Sequence, residues 1–484
     1  MKKIVINTLI SLFLIISIFL LIYTHYKSSI VFDGKRISNY FIYYIISSLG
    51  ILFFSILFFL KRSFKENILV SLVTFIILIY IAEFLFLFSK NETLTDIQIN
   101  EKRRLEKAKI VLEKYNLEID TRSKLEFQRD EKMKGNDLSL VITPFRMLHL
   151  EGLENYSWKE DSNKPKRILP LAGVSKKLTI GGSETGKYNI YQSDRFGFNN
   201  PDSEWDEINY ITIIGDSAVD ASYIPWVNGW AGNIKKLTKK PALALGMGNN
   251  GPLLELATLK EYAQKIKPKI ILWIYVEEND LVELKQEMKS SILSKYLDKN
   301  YTQNLIENQN LIEENYYIFL NSKIKENEAD PTNALSVEKK KYNFISYIKL
   351  INLRYFLFNN LQLQLRYTIT KKDLLNFEKI ILEAKETTEK FRGKLYFVYL
   401  PATTRFFDFK NPLKKKDYYR HEVLKIVSDL QVPLIDLWEL YFKNLDDPLN
   451  TLSFRMHSHY NKETIENASK IIVGYLEKNN LGNN

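Results

Sequence analysis

The run YITIIGDS (210–217) is β-branched and apolar until it stops at Gly-Asp-Ser, leaving Ser217 where a strand should end. A serine hydroxyl is a poor nucleophile until a base takes its proton, and the resulting oxyanion needs donors already in place. Of the five histidines, His459, in FRMHSHYN just before a last helical stretch, is the best-placed base. His457, two residues earlier, is its competitor. The side-chain amide of Asn279, the backbone N–H groups of the turn GMGNNGP (246–252) and the amide of Ser217 can serve as oxyanion donors. Each feature also has a plain structural reading. Gly-Asp-Ser arises by chance in roughly one chain in ten of this length, Asn279-Asp280 can cap a helix, and the glycines can form an ordinary turn. Joint placement is what gives the set weight.

That placement follows from the elements. YITIIGDS, ALALGMG (242–248), IILWIYV (270–276), KLYFVYLPA (394–402) and VPLIDLWEL (432–440) are short apolar runs, most of them separated by helix-compatible stretches such as PLLELATLKEYAQKIKP. Continuous apolar strands alternating with helices predict an α/β domain, a parallel sheet covered on both faces. Ligands bind such sheets at the carboxyl ends of the strands. Ser217, the glycine turn and Asn279 each follow a strand, and His459 follows the last one, so all fall at that rim. A Leu/Ile/Asn/Lys-rich segment, about 281–390, reads as a helical insertion. Residues 98–134 read as a helical stalk, and 138–205 as short β pieces with turns at Gly181-Gly182 and NNPD.

Ahead of this lie three apolar runs, IVINTLISLFLIISIFLLIY (4–23), about 37–60 and 68–88, each near the 20 residues that cross a hydrocarbon core. Lacking a small-x-small cleavage site, the first reads as an uncleaved anchor. Lys2, Lys3 and the loop Lys61-Arg62-Ser63-Phe64-Lys65 predict an N-terminus inside, and three spans then place the remainder outside. Glu83, near the end of the third run, reads as a side chain reaching the interface, with an intramembrane functional role as the alternative. The formal charge of +11 favours anionic neighbours such as lipid headgroups or acidic glycans. It is spread along the chain without an arginine-rich arm or a zinc-finger or RNP-type motif, which argues against nucleic acid. The mean hydropathy of −0.21 averages an apolar and a polar part. With no cysteine, disulfides, thiolate catalysis and Cys-ligated metals are excluded.

Gly215-Asp216-Ser217, the glycine turn, Asn279-Asp280 and His459 resemble blocks one, two, three and five of the SGNH, or GDSL, hydrolase superfamily, over about 208–478. YQSDRFGFNNPD, NNGPLLELATLKEY, LWIYVEENDL and HYN resemble bacterial membrane-anchored members associated with cell-surface polysaccharides. The resemblance implies a flavodoxin-like three-layer fold and esterase or O-acyltransferase chemistry without metal or organic cofactor. In that scheme Ser217 is the nucleophile and His459 the base. Asn279 and a turn residue, Gly248 or Asn249, join the Ser217 amide as oxyanion donors, with Asp216, His457 and Asp280 supporting. The chain departs from the pattern in three places. Ala218 and Ala221 stand where an aromatic residue and a glycine are usual, and Asn249 stands where the donor glycine is expected. Met456 and His457 occupy the places from which an aspartate commonly orients the base, leaving Asp446, Asp447 or a backbone carbonyl for that task.

The resulting expectation is a three-helix membrane anchor (1–90), a stalk and β-containing preamble (91–207), and an SGNH-like domain (208–480). The protein would sit in the bacterial inner membrane and move acyl groups, acetyl first among them, on or off a cell-surface glycan. A membrane acyl-donor protein is a further expected partner. The competing expectation is a catalytically silent module that binds glycan or scaffolds an envelope assembly.

Overall fold

A computed structural model describes residues 3–31, 37–88, 96–149, 168–207, 210–314, 316, 347–348, 350, 353, 369–407 and 419–479. The chain divides into two compact units, Met1–Thr93 with Val337–Lys372, and Leu94–Ser336 with Asp373–Asn484.

In the first unit the apolar runs form helices α1 (Lys3–His25), α2 (Ile37–Leu57) and α3 (Arg62–Phe88). Helices α1 and α2 pack antiparallel. Phe13 stacks on Phe54 at 5.3 Å, and Gly50 lies so close to Ser17 that an added Cβ would stand 2.7 Å from its Oγ. Among the described residues the buried apolar side chains form a thin seam of Ile6, Ile10, Phe54, Leu57 and Leu69, while Ile4, Phe19, Phe59 and Phe75 are exposed. Apolar side chains facing outward on this scale mark a surface made for something other than water. Among the described residues two helices, Ile4–Val31 and Arg62–Leu85, are long and apolar enough to cross a membrane. The middle one keeps a shorter apolar stretch, Tyr43–Leu57. Glu83 departs from the expectation of an interfacial side chain. It is fully buried and accepts the Leu353 backbone N–H at 2.7 Å, because a carboxylate among apolar helices is stable only with a donor.

The second unit opens with helices Asp96–Tyr115 and Lys124–Met133, the latter closed by a Ser123/Glu126 capping box. A two-stranded hairpin follows, β1 (Leu178–Ile180) and β2 (Ile190–Gln192), antiparallel. The main sheet comprises β3 (Ile211–Gly215), β4 (Ala242–Gly246), β5 (Ile270–Val276), β6 (Lys394–Leu400) and β7 (Leu434–Asp436). Its order is β4-β3-β5-β6-β7, parallel throughout. Numbered within the sheet this is 2-1-3-4-5, the doubly wound order of flavodoxin-like sheets. Helices such as Trp230–Thr238, Pro252–Thr258, Lys371–Lys390 and Lys462–Lys478 connect or follow the strands.

Three sequence expectations change. Residues 94–207 do not stand apart as a stalk and preamble; they belong to the same unit as the sheet. Arg104 bonds Thr121 O, and Asp194 gathers Phe196 N, Phe198 N, Asn200 Nδ2 and Trp205 Nε1 while Asn200 reaches on to Ala244 O. Lys371–Lys390, counted in the insertion, is the helix leading into β6, its buried face carrying Phe377, Ile380, Ile381 and Ala384. Residues 317–346 and 354–368 of the insertion lie outside the described residues. The last apolar run is a strand for only three residues, because the Asp436 side chain caps the helical turn Leu437–Leu440 by accepting the Glu439 N–H.

Candidate active site

Strands β3 and β4 end in register, Gly215 opposite Gly246. A Cβ on Gly215 would stand 2.5 Å from the Val219 side chain and 2.9 Å from Ile274 O, so the turn into Ser217 needs a glycine there. The chain then enters a single helical turn, Ser217–Asp220, with Asp216 as its N-cap accepting the Ala218 N–H at 2.8 Å. The turn ends on Ala221 at φ +43°, the position at which the resembling family has glycine.

Ser217 and His459 meet at this rim. His459 Nε2 lies 2.8 Å from Ser217 Oγ, and the imidazole stacks on Tyr223 with centroids 5.0 Å apart and planes at 13°. The Tyr223 hydroxyl donates to Tyr460 O at 2.8 Å, fixing the backbone beside His459. His459 Nδ1 is 2.5 Å from Glu184 Oε1, while Oε2 of the same carboxylate accepts the His459 backbone N–H at 3.0 Å. Nδ1–H donating to Glu184 leaves Nε2 free to accept the serine proton, the tautomer a general base requires.

Glu184 is therefore the residue orienting the imidazole, in place of the aspartates the sequence suggested. Asp447 pairs instead with Arg455 at the surface, and Asp446 is exposed. Glu184 sits at the tip of the β1–β2 hairpin, in GGSETGKY, with its backbone carbonyl 3.4 Å from Lys107 Nζ. The only sequence signal was a carboxylate within a glycine-flanked turn, far from the strands that carry the other groups. His457 is more exposed, at 59%, and its Nε2 lies 3.2 Å from Glu278 Oε1.

Electrostatics follow from this pairing. Burial pushes the His459 pKa down, but the Glu184 charge and hydrogen bond, with Asp216 and Asp220 further off, outweigh it and hold the ring at about 9. Burial pushes Glu184 up, and the His459 charge and hydrogen bonds overcome that to leave it below its ordinary value. His459 and Glu184 remain 34% and 24% exposed at the cleft, so solvent screens part of this coupling.

The oxyanion side is arranged differently from expectation. Asn249 adopts φ +63°, the left-handed conformation that asparagine tolerates. Its Nδ2 reaches Glu283 Oε1 at 3.2 Å. The Asn279 amide lies in the site, yet its Nδ2 donates to Asp216 Oδ2 at 2.9 Å and to Glu283 Oε2 at 2.8 Å. Both of its hydrogens are thereby engaged. Asp280 is turned away from the cleft, with Oδ2 accepting the Val276 N–H at 2.8 Å. Gly248 places only the Thr143 methyl near its would-be Cβ, at 3.2 Å.

Ser217, His459, Asn279, Asn249, Glu278 and His457 line a cleft of about 430 Å³. That volume suits a small acyl-bearing group. Among the described residues the lining carries Glu184, Asp216, Glu278 and Glu283 and no lysine or arginine.

No family model matches the sequence, and no curated protein matches it. Among solved structures 15 chains match. One is the psychrotrophic esterase EstA from Pseudoalteromonas sp., in a structure inhibited by monoethylphosphonate, at 10% identity and a TM-score of 0.29. The match covers 56% of this chain and 100% of that one, a distant likeness of shape.

Proposed function

We propose that this chain is a membrane-anchored SGNH-type serine esterase or O-acyltransferase whose sheet domain lies outside the cytoplasm. Its substrates are acyl groups, acetyl first among them, on a cell-surface glycan. The observation that carries this reading is the continuous chain Ser217–His459–Glu184 at the mouth of a cleft. In the reaction, His459 Nε2 takes the hydroxyl proton as Ser217 Oγ attacks the acyl carbonyl carbon. The C=O pair moves onto oxygen, where the Ser217 N–H and the turn at Gly248-Asn249 supply donors. Collapse expels the sugar oxygen, which receives the proton from His459. Water or an acceptor hydroxyl then repeats the sequence on the acyl-serine, giving hydrolysis or transfer. The carboxylates among the described lining residues favour a neutral sugar over an anionic one.

The engaged Asn279 amide favours a second reading, a silent module of the same fold that only binds glycan. Labelling the full-length protein with a fluorophosphonate separates the two. One adduct, mapped to Ser217 and lost in Ser217→Ala, is expected. No adduct, or one that persists in Ser217→Ala, overturns the enzyme reading.

A further inference from the structure

Behind the serine lies a set of carboxylates that the acyl-transfer chemistry does not use. One oxygen from each of Asp216, Asp280 and Glu283 lies within 4.8 Å of the others, and these residues are 1%, 0% and 6% exposed. Glu255, from the helix Pro252–Thr258, stands against them: its charge is the strongest acting on Asp280, and it is fully buried. Neither oxygen of Glu255 makes a hydrogen bond, nor does Asp280 Oδ1, nor either polar atom of the fully buried Asn250. The Trp273 indole N–H faces Glu255 without closing a hydrogen bond. None of these four carboxylates has an ion-pair partner among the described residues. Glu287, nearby, is different, because Gly251 N and Leu253 N satisfy it at 2.6 and 2.9 Å.

Buried carboxylates are far from stable as anions unless paired, and among the described residues the one cation acting on this set is the His459 ring, near Asp216. Hydrogen bonds from Asn279, Asn249, Ala218 and Val276 offset part of this for three of them, while Glu255 has only the approach of the Trp273 indole N–H. We propose that Asp216, Asp280 and Glu283 form a binding site for a calcium ion, with the buried, unpartnered carboxylate of Glu255 beside them. The donors are oxygen only, which selects a hard cation. Calcium lies 2.3–2.6 Å from its ligands, so opposite oxygens stand roughly 4.6–5.2 Å apart, in keeping with the observed spread. Magnesium keeps several waters and dehydrates reluctantly, which suits a buried protein cage poorly. Asp216 and Glu283 also line the cleft, giving the ion a route inward. On the proposed esterase reading, an ion bound here would take over the oxygens that hold Asn279 and release its amide toward the oxyanion.

Terbium, a luminescent calcium mimic, tests the site directly, with Trp273 placed to sensitise it. Full-length protein in detergent should give saturable, one-to-one emission on excitation of tryptophan, displaced by calcium, with calcium also raising the melting temperature. Glu255→Gln and Asp280→Asn should each weaken terbium binding at least tenfold while remaining folded by circular dichroism. Ser217→Ala should bind as wild type, so the result is independent of whether the serine is catalytic. Absence of saturable emission from folded protein overturns the proposal. So does emission unchanged in both carboxamide variants, or a gain in stability from Glu255→Gln with no calcium effect, the mark of carboxylates held protonated.

Discussion

At the scale of the residue, the decisive contact is between Glu184 and His459. A ring held at about 9 is mostly imidazolium at neutral pH and cannot accept the serine proton. Esterase activity should therefore rise with alkaline pH, with the acid limb of kcat/KM well above the ordinary histidine value of 6.5. In Glu184→Gln the limb should move down toward that value while the plateau falls, by up to about 10⁴-fold on the scale of a lost triad carboxylate. A limb that stays in place would remove Glu184 from this role. The same pair shapes stability. Folding raises His459, so its contribution is complete below 6.5 and is lost as pH climbs through about 9. Folding lowers Glu184 below 4.5, so its contribution is lost as pH falls through that depressed value. His457→Asp should bring no gain in rate, because the orienting carboxylate is already supplied. A several-fold increase measured in that variant would show the loop using it instead.

At the scale of the element, the β1–β2 hairpin is the part that turns a serine–histidine pair into a triad. Its approach is close. Gly182 N donates to Ser222 O at 3.2 Å, and Asn189 Nδ2 reaches Ser222 O and Ile224 O at 2.9 and 3.0 Å. A Cβ on Gly181 would stand 1.9 Å from Ser222 O, which is backbone and has little room to yield. Gly181→Ala should thus displace the hairpin tip that carries Glu184. The expected result is a loss of about 1–3 kcal/mol in stability by denaturant melts, with a fall in kcat resembling that of Glu184→Gln. Wild-type kcat in a variant that is merely less stable would show that the tip is held from elsewhere, for instance by Lys107 and by Asp120 N on Gly186 O.

At the scale of the whole molecule, the first unit carries the apolar exterior and the second carries the cleft of Ser217, His459 and Glu184. Lys65 Nζ caps α2 by donating to Phe58 O at 2.8 Å, and with Lys61 and Arg62 it puts positive charge in the α2–α3 turn. Such charge favours the cytoplasmic side. Reporter fusions after Lys65 and after Lys90 should give opposite answers, cytoplasmic then external, if α2 and α3 both span. Matching answers from the two would place the sheet domain on the side of that turn and end the extracytoplasmic reading.

The sequence alone was enough for whatever is written in short windows. Runs of apolar β-branched residues ending in glycine or asparagine marked the strands and their rim. In the folded chain that rim brings Ser217 and His459 to 2.8 Å, with Asn279 in the same cleft. Three helices were legible from apolar length, since backbone hydrogen bonding within an apolar run needs no partner element. Tertiary structure alone decided the rest. Glu184 belongs to a hairpin outside the sheet and reaches His459 only because two glycines let that hairpin lie against Ser222 and Tyr223. Asn279 looked like a free donor until Asp216 and Glu283 closed on it, and Glu255 looked like one more helical glutamate until the fold buried it beside them. Local propensity reports what a segment does with its own backbone. Which charges meet across the chain depends on packing, and no spacing within a window encodes it.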